Sequence, residues 1–144
     1  MTARPAIAAT ASDRWAIVLA GGDGVRLQAL TRALTGAPIP KQYCRVIGER
    51  SMLETTLDRI ASVAPRSRTL AIINRDHVPL AREQLRDLPP TNVLVQPQNR
   101  DTGPGLLLGL LELGRRAPGA TVAVFPSDHF IRDNPAFRAH VARG

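Results

Sequence analysis

The fold is decided by the stretch Trp15-Ala16-Ile17-Val18-Leu19-Ala20-Gly21-Gly22-Asp23-Gly24-Val25-Arg26-Leu27. Its first residues form an unbroken apolar run, which is typical of a strand covered on both faces. Three glycines within four residues follow, and without Cβ atoms the backbone there can approach a ligand closely. Arg26 adds a planar fork of donors suited to phosphate oxygens. A strand, a glycine loop and an arginine in this order predict a polyphosphate site at the carboxyl end of the strand.

A second cation, Lys41, lies in the segment Pro40-Lys41-Gln42-Tyr43. The chain has 19 basic residues, and Lys41 is the single lysine among them. A lysine ammonium is a compact point charge on a flexible stem, which an arginine fork does not replace. The one basic position that is not arginine therefore predicts a second phosphate contact beside the glycine loop.

Composition excludes several classes of protein. A hydrophobic share of 44% in 144 residues is enough for the core of one domain and excludes a disordered chain. The net charge of +7 favours anionic partners, but aromatic residues make up only 3%, too few for stacking on nucleic-acid bases. One cysteine excludes a disulfide framework, and no apolar stretch is long enough for a membrane. We expect a cytoplasmic protein with small-molecule partners, no nucleic acid, no membrane, and a flexible N-terminal arm at residues 1–13.

Three further apolar runs predict strands at residues 70–73, 93–95 and 122–125, after the first at 15–20. Helical patterns lie between them, at residues 53–64, 78–88 and 104–116, and the first of these follows a capping box, Ser51 with Glu54. Alternating strands and helices predict an α/β fold, with a Rossmann-like, doubly wound, mainly parallel sheet in three α/β/α layers.

Polar or glycine-rich residues follow each predicted strand, at 21–26, 74–77, 97–102 and 126–129. Because the carboxyl ends of parallel strands lie at one edge of a sheet, these four loops predict one composite site. A further helix begins at Asn134, with Pro135 at its first turn, just before the sequence stops. We therefore expect residues 14–144 to be the N-terminal, nucleotide-binding part of a larger, truncated domain.

Two common phosphate-binding motifs fail on specific residues. A dinucleotide-binding fingerprint needs a third glycine where Leu27 stands, and an acidic residue where the second strand ends in Asn74. A P-loop needs Gly-Lys-Ser/Thr, which the chain lacks.

The remaining pattern resembles the sugar-1-phosphate nucleotidyltransferase family, and within it most closely the mannose-1-phosphate guanylyltransferases. The resemblance covers nearly all of residues 15–133 and is carried by four segments: residues 19–27, 40–42, 96–105 and 125–129. It implies the nucleotide-diphospho-sugar transferase type of fold. It also implies synthesis of GDP-mannose and pyrophosphate from GTP and mannose 1-phosphate.

The resemblance implies roles for individual residues. Arg26 and Lys41 would neutralise the triphosphate, and Asp128 would bind Mg²⁺, whose second carboxylate ligand would come from sequence absent here. These three are the implied catalytic residues. The implied nucleotide-binding residues are Leu19, Ala20, Gly21, Gly22, Asp23, Gly24, Asn99 and Thr102. With one metal ligand and no sugar pocket, the isolated chain is expected not to turn over.

Some residues depart from the family pattern, and alternatives stay open. Ala29 stands where the family usually has proline, Gly103 replaces an alanine, and residues 35–38 lengthen the interval before Lys41. The segment 40–43 also resembles methylerythritol-phosphate cytidylyltransferases, and a non-catalytic nucleotide-binding or interaction domain is a further alternative. His77 and His140 have no partner pattern and are expected at the surface. The protein could form a homo-oligomer, and the sequence names neither the sugar nor the oligomeric state.

Overall fold

The computed structural model describes residues 13–143. Its centre is one sheet of four parallel strands in the order β3-β2-β1-β4. The strands are β1 (Arg14–Leu19), β2 (Thr69–Asn74), β3 (Val93–Gln96) and β4 (Thr121–Pro126). The predicted α/β fold with a parallel sheet is confirmed. Apart from Asp13, the arm predicted at residues 1–13 lies outside the described residues.

The helices are α1 (Gln28–Thr35), α2 (Met52–Ile60), α3 (Val78–Gln84), α4 (Thr102–Arg116) and α5 (Asn134–Arg143). The predicted capping box begins α2: the Glu54 amide donates to Ser51 Oγ at 3.1 Å, and the Ser51 amide donates to Glu54 Oε2 at 2.8 Å. Helix α1 is not among the predicted helices. Its apolar residues Leu30 and Leu34 are about half exposed, so their spacing does not mark a buried face.

The helices cover both faces of the sheet, which gives the predicted three layers. On one face α2, α3 and α5 pack against a cluster that includes Ala16, Val18 and Ile73. On the other face α4 packs against Ile17 and Ile72. Gly109 of α4 makes this approach possible, because a Cβ there would lie 3.1 Å from Ile17 Cδ1 and 3.2 Å from Ile72 Cδ1.

The inner and outer strands differ in burial. Every residue of β2 is buried, whereas the edge strands β3 and β4 expose Val95 and Val124 by 42% and 40%. The expectation of strands covered on both faces is therefore right for the inner pair and wrong for the edge pair, whose apolar residues have fewer neighbours. No helix among residues 13–143 is long and apolar enough to cross a membrane.

Candidate active site

The loops after β1, β3 and β4, together with the segment that contains Lys41, line a cavity of about 480 Å³. The loop after β2, residues 74–77, does not line it, so the prediction of one site built from all four loops is wrong for that loop. Ten of the residues singled out in the sequence line it: Leu19, Gly21, Gly22, Asp23, Gly24, Arg26, Lys41, Asn99, Thr102 and Asp128. Ala20 is the exception, since it is 1% exposed and does not face the cavity. The parallel sheet has thus brought together side chains that are up to 109 positions apart, from Leu19 to Asp128.

The three glycines of the loop meet different surroundings. Gly24 has φ +60°, and a Cβ there would lie 3.3 Å from the Lys41 amide nitrogen, so this position requires glycine. A Cβ on Gly21 would lie 2.9 Å from Gln96 Oε1. A Cβ on Gly22 would meet nothing within 4 Å. Gly24 and Gly21 are therefore constrained by the fold, whereas Gly22 borders open space in the cavity.

The segment after Pro40 is a short 3₁₀ turn, Lys41–Tyr43, that is tied to the glycine loop. Gln42 Nε2 donates to the Ala20 carbonyl at 3.0 Å and to the Gly22 carbonyl at 2.7 Å. Tyr43 Oη donates to the same Ala20 carbonyl at 2.9 Å, and burial raises the pKa of this phenol well above its usual range. Ala20 therefore contributes an anchoring carbonyl.

Lys41 and Asp128 form an ion pair at the cavity, with Lys41 Nζ 2.6 Å from Asp128 Oδ2. Their side chains are 32% and 27% exposed, so solvent reaches both. Ser127 fixes the position of Asp128, because Ser127 Oγ donates to the Leu19 carbonyl at 2.7 Å. Arg26 also lines the cavity, but its side chain is exposed and has no ion-pair partner among residues 13–143.

The donors present fit a magnesium ion that is bound mainly by substrate. No group of three or more histidine, cysteine, aspartate or glutamate residues within the described chain could hold a metal by itself. Mg²⁺ is commonly held by one or two carboxylates together with substrate phosphates and water. Asp128, a partly exposed carboxylate on the cavity wall, satisfies that requirement for one protein ligand.

Asp23 connects the loops that follow three strands. Its Oδ2 accepts from Asn99 Nδ2 at 2.7 Å, after β3. Its Oδ1 accepts from Asn74 Nδ2 at 3.4 Å and lies 3.2 Å from His77 Nε2, after β2. One carboxylate thus joins the glycine loop to two neighbouring loops.

The surface position expected for His77 is wrong. A 3₁₀ turn directly after β2 directs the ring inward, where the side chain is 7% exposed and packs edge-on against Tyr43 with centroids 5.4 Å apart. His140 is exposed as expected.

Three further lining residues, Gln96, Asp101 and Gly105, lie in the segment 96–105 that carries the resemblance, but the sequence predicted no individual role for any of them. The Gln96 amide lies between Gly21 and Gly105, since a Cβ on Gly105 would be 3.2 Å from Gln96 Oε1. Asp101 is the one non-glycine residue with positive φ in the described chain, at φ 64°. Gln96 ends β3 and Asp101 precedes α4, so the sequence could have placed both residues at the edge of the sheet where the site forms. It could not have shown the direction in which their side chains point.

Comparison with known proteins shows the family of this chain. The family model for nucleotidyl transferases matches residues 15–143. The Xanthan biosynthesis protein XanB of Xanthomonas campestris is 39% identical over 132 residues, which cover 90% of this chain and 27% of that protein. The mannose-1-phosphate guanylyltransferase of Escherichia coli K12 is 37% identical over 134 residues, with the same two shares.

A solved structure is also similar. The crystal structure of a Thermus thermophilus protein described as a mannose-1-phosphate geranyltransferase superposes with a TM-score of 0.77 at 34% identity, covering 91% of this chain and 37% of that one. The chain spans about a quarter of the length of the curated relatives it matches. The family resemblance stated from the sequence is confirmed, and this chain belongs to the nucleotidyl transferase family.

Proposed function

We propose that this chain is the nucleotide-binding part of a sugar-1-phosphate nucleotidyltransferase that makes GDP-mannose and pyrophosphate from GTP and mannose 1-phosphate, with Mg²⁺. The observation that carries the proposal is the Lys41–Asp128 pair, 2.6 Å apart, on the wall of a cavity formed by the glycine loop. A cation for phosphate and a carboxylate for a hard metal ion are the two charges that binding of a metal–triphosphate complex requires.

The reaction needs little acid–base chemistry. A phosphate oxygen of the sugar phosphate attacks the α-phosphorus of the nucleotide, the bond from the α-phosphorus to its bridging oxygen breaks, and pyrophosphate leaves. The attacking oxygen is already anionic, so no general base is required. Catalysis must come from bringing two anions together in line and stabilising the charge that develops on the leaving pyrophosphate.

In the structure the two opposite charges of the site, Lys41 and Asp128, are paired with each other. When the nucleotide binds, Lys41 would exchange Asp128 for phosphate oxygens, and Asp128 would become a ligand of Mg²⁺. The bound Mg²⁺ would supply charge neutralisation at the triphosphate. Arg26, exposed on the cavity wall, is placed to add a second cation, and Gly22 leaves open space beside the loop backbone.

Guanine is the base that we propose, on two grounds. Residues 96–105 resemble the guanylyltransferase branch, and several relatives carry that name. The alternative with cytosine rests on residues 40–43 alone. Because a site built for one set of hydrogen-bonding groups leaves them unpaired with the wrong base, the two alternatives predict different affinities.

Calorimetry of the chain with GTP, CTP and UTP, with and without Mg²⁺, tests the nucleotide and the metal. We expect GTP to bind most tightly and Mg²⁺ to strengthen its binding. Asp128→Asn should remove the effect of Mg²⁺, whereas Asp87→Asn, at an exposed acid next to Arg86, should keep it. Tighter binding of CTP than of GTP would favour the cytidylyltransferase alternative.

Pyrophosphate release tests the reaction. We propose that the chain alone gives no sustained turnover with GTP, mannose 1-phosphate and Mg²⁺. A chimera in which residues 15–143 replace the matching segment of the Escherichia coli K12 relative should release pyrophosphate. A chimera that binds GTP without turnover would favour a non-catalytic nucleotide-binding domain.

A further inference from the structure

We propose that Asp23 is a positioning residue. Its carboxylate holds Asn99, and Asn99 in turn holds the backbone of the loop between β3 and α4 against the glycine loop. On this proposal the Asn99 side chain orders the nucleotide site instead of contacting the base. The inference rests on the proposed function for its affinity measurement, but its structural measurement is independent of that function.

The first step is the fixed orientation of the Asn99 amide. Asn99 Oδ1 accepts from the Asp101 backbone amide at 3.0 Å. The other end of the same amide, Nδ2, must then point away from Asp101, and it donates to Asp23 Oδ2 at 2.7 Å. The side-chain oxygen of Asn99 therefore accepts a hydrogen bond from its own loop, and the side-chain nitrogen donates one to Asp23.

The second step is the chemistry required at position 23. The neighbours of the carboxylate that contribute side-chain nitrogens are Asn99, Asn74 and His77, at 2.7, 3.4 and 3.2 Å. An ionised carboxylate accepts only, so it can satisfy donors on both of its oxygens. An asparagine at position 23 would have to present a donor to one side, and facing Asn99 it would place two NH₂ groups together.

The third step is a reciprocal exchange that keeps every one of these bonds. In the double variant Asp23→Asn with Asn99→Asp, the new amide oxygen at position 23 can still accept from Asn74 and face His77, while the new amide nitrogen donates to residue 99. The new carboxylate at position 99 accepts that bond and the bond from the Asp101 amide. Net charge is unchanged. Each single variant is mismatched, because Asp23→Asn opposes two donors and Asn99→Asp opposes two carboxylates.

Two measurements on the four proteins test the proposal: calorimetric affinity for GTP with Mg²⁺, and amide hydrogen exchange of residues 97–103. We expect each single variant to bind GTP about five- to tenfold more weakly, as for a partly exposed hydrogen bond to a charged group, and to exchange faster in that loop. The double variant should return to within about twofold of the unmodified chain in both. Asp76→Asn, at an exposed acid after β2, is the matched control and should change neither measurement.

The outcomes separate the alternatives. If the double variant exchanges slowly again but does not recover GTP affinity, Asn99 contacts the nucleotide directly and the proposal is wrong. If the loss of exchange protection at residues 97–103 in the double variant equals the sum of the losses in the two single variants, Asp23 and Asn99 are not coupled and the proposal is also wrong. If the unmodified chain binds no GTP, the proposed function fails, while the exchange data still decide whether Asp23 holds the loop.

Discussion

The glycine loop has two neighbours that are attached to it in opposite ways. On one side lies the lysine segment, residues 40–43. Its Gln42 and Tyr43 are each 3% exposed, and their side chains donate three hydrogen bonds to the carbonyls of Ala20 and Gly22. On the other side, residues 97–101 between β3 and α4 are all exposed, and Asn99 reaches the glycine loop through the Asp23 side chain. The cavity wall formed by residues 40–43 is therefore attached through buried side chains, whereas the opposite wall, formed by residues 97–101, is attached through an exposed side chain.

This difference matters for how each wall can respond to a ligand. A buried carbonyl that loses its donor bears the full cost of desolvation, so the lysine segment is held in place before any ligand arrives. A solvent-exposed side-chain bond can exchange with water at low cost, so the β3–α4 loop can adjust. The wall with Lys41 thus suits a fixed triphosphate position, and the opposite wall suits adjustment around the rest of the nucleotide.

The largest expected effect is on the fixed wall. Lys41→Met keeps much of the side chain but removes its charge, and should weaken GTP binding by about 1.5–3 kcal/mol, the range for hydrogen bonds to charged groups. Calorimetry in the presence of Mg²⁺ measures this loss. Arg86→Met, at an exposed cation that does not line the cavity, is the control. Unchanged GTP affinity in Lys41→Met would show that the triphosphate does not bind at Lys41.

The next effect compares the two attachments directly. Gln42→Ala removes a buried side chain and its hydrogen bonds to the carbonyls of Ala20 and Gly22, and should lower the free energy of unfolding by about 2 kcal/mol. Asn99→Ala, in the exposed wall, should lower it by no more than about 0.5 kcal/mol. Urea denaturation gives both values. Equal losses in the two variants would contradict the contrast between the walls.

A smaller effect separates two glycines of the loop itself. Gly24→Ala places a side chain at φ +60° and close to the Lys41 backbone, and should cost about 1–2 kcal/mol of stability. A Cβ at Gly22 would meet nothing within 4 Å, so Gly22→Val should leave the stability unchanged while its side chain blocks GTP. Thermal unfolding and GTP titration of both variants check this pair. A Gly22→Val protein that still binds GTP would show that the nucleotide does not pass this residue.

The smallest effect is a pH dependence of the stability near the C-terminal end of α4, the helix that follows residues 97–101. Hydrogen bonds from Arg115 and then Arg116 lower the pKa of Glu112 on α4 to about 2, and Arg116 Nη1 also donates to Asn92 Oδ1 at 2.8 Å, ahead of β3. A carboxyl whose folded pKa is depressed contributes stability above its ordinary pKa, near 4.5, and loses that contribution as the pH falls toward 2.

We therefore expect a small decrease of the urea midpoint between pH 4.5 and pH 2 that is absent in Glu112→Gln. The comparison of the two proteins over this range isolates Glu112 from the other carboxyl groups. Identical pH profiles would mean that the ion pairs of Glu112 with Arg115 and Arg116 add nothing measurable to the stability.

The sequence predicted the positions of the four strands and the edge at which the site would form. Apolar runs without polar alternation mark inner parallel strands, and polar loops follow the carboxyl ends of such strands, so both signals are local. The sequence did not predict α1 or the exposure of β3 and β4. In these cases the deciding quantity is which neighbours cover a residue, and a local pattern of apolar residues does not contain it.

The same limit applies within the site. The glycine loop, Arg26 and Lys41 could be selected from their residue types and order along the chain, which indicate phosphate binding, whereas Asn99 and Asp128 received their predicted roles from the family resemblance. Their partners could not be selected. His77 was expected at the surface, yet it lies buried beside Asp23, because the turn after β2 decides the direction of its ring.

By itself, then, the sequence determined the fold class, the family and the set of chemical groups at one edge of a parallel sheet. The tertiary structure decided which of these groups touch: Lys41 with Asp128, and Asp23 with Asn99, Asn74 and His77. The physical reason is the register of the sheet. Pairing Leu19 with Pro126 and Asn74 with Gln96 sets loops from distant parts of the chain side by side, and a hydrogen bond depends on that alignment to within a few tenths of an ångström.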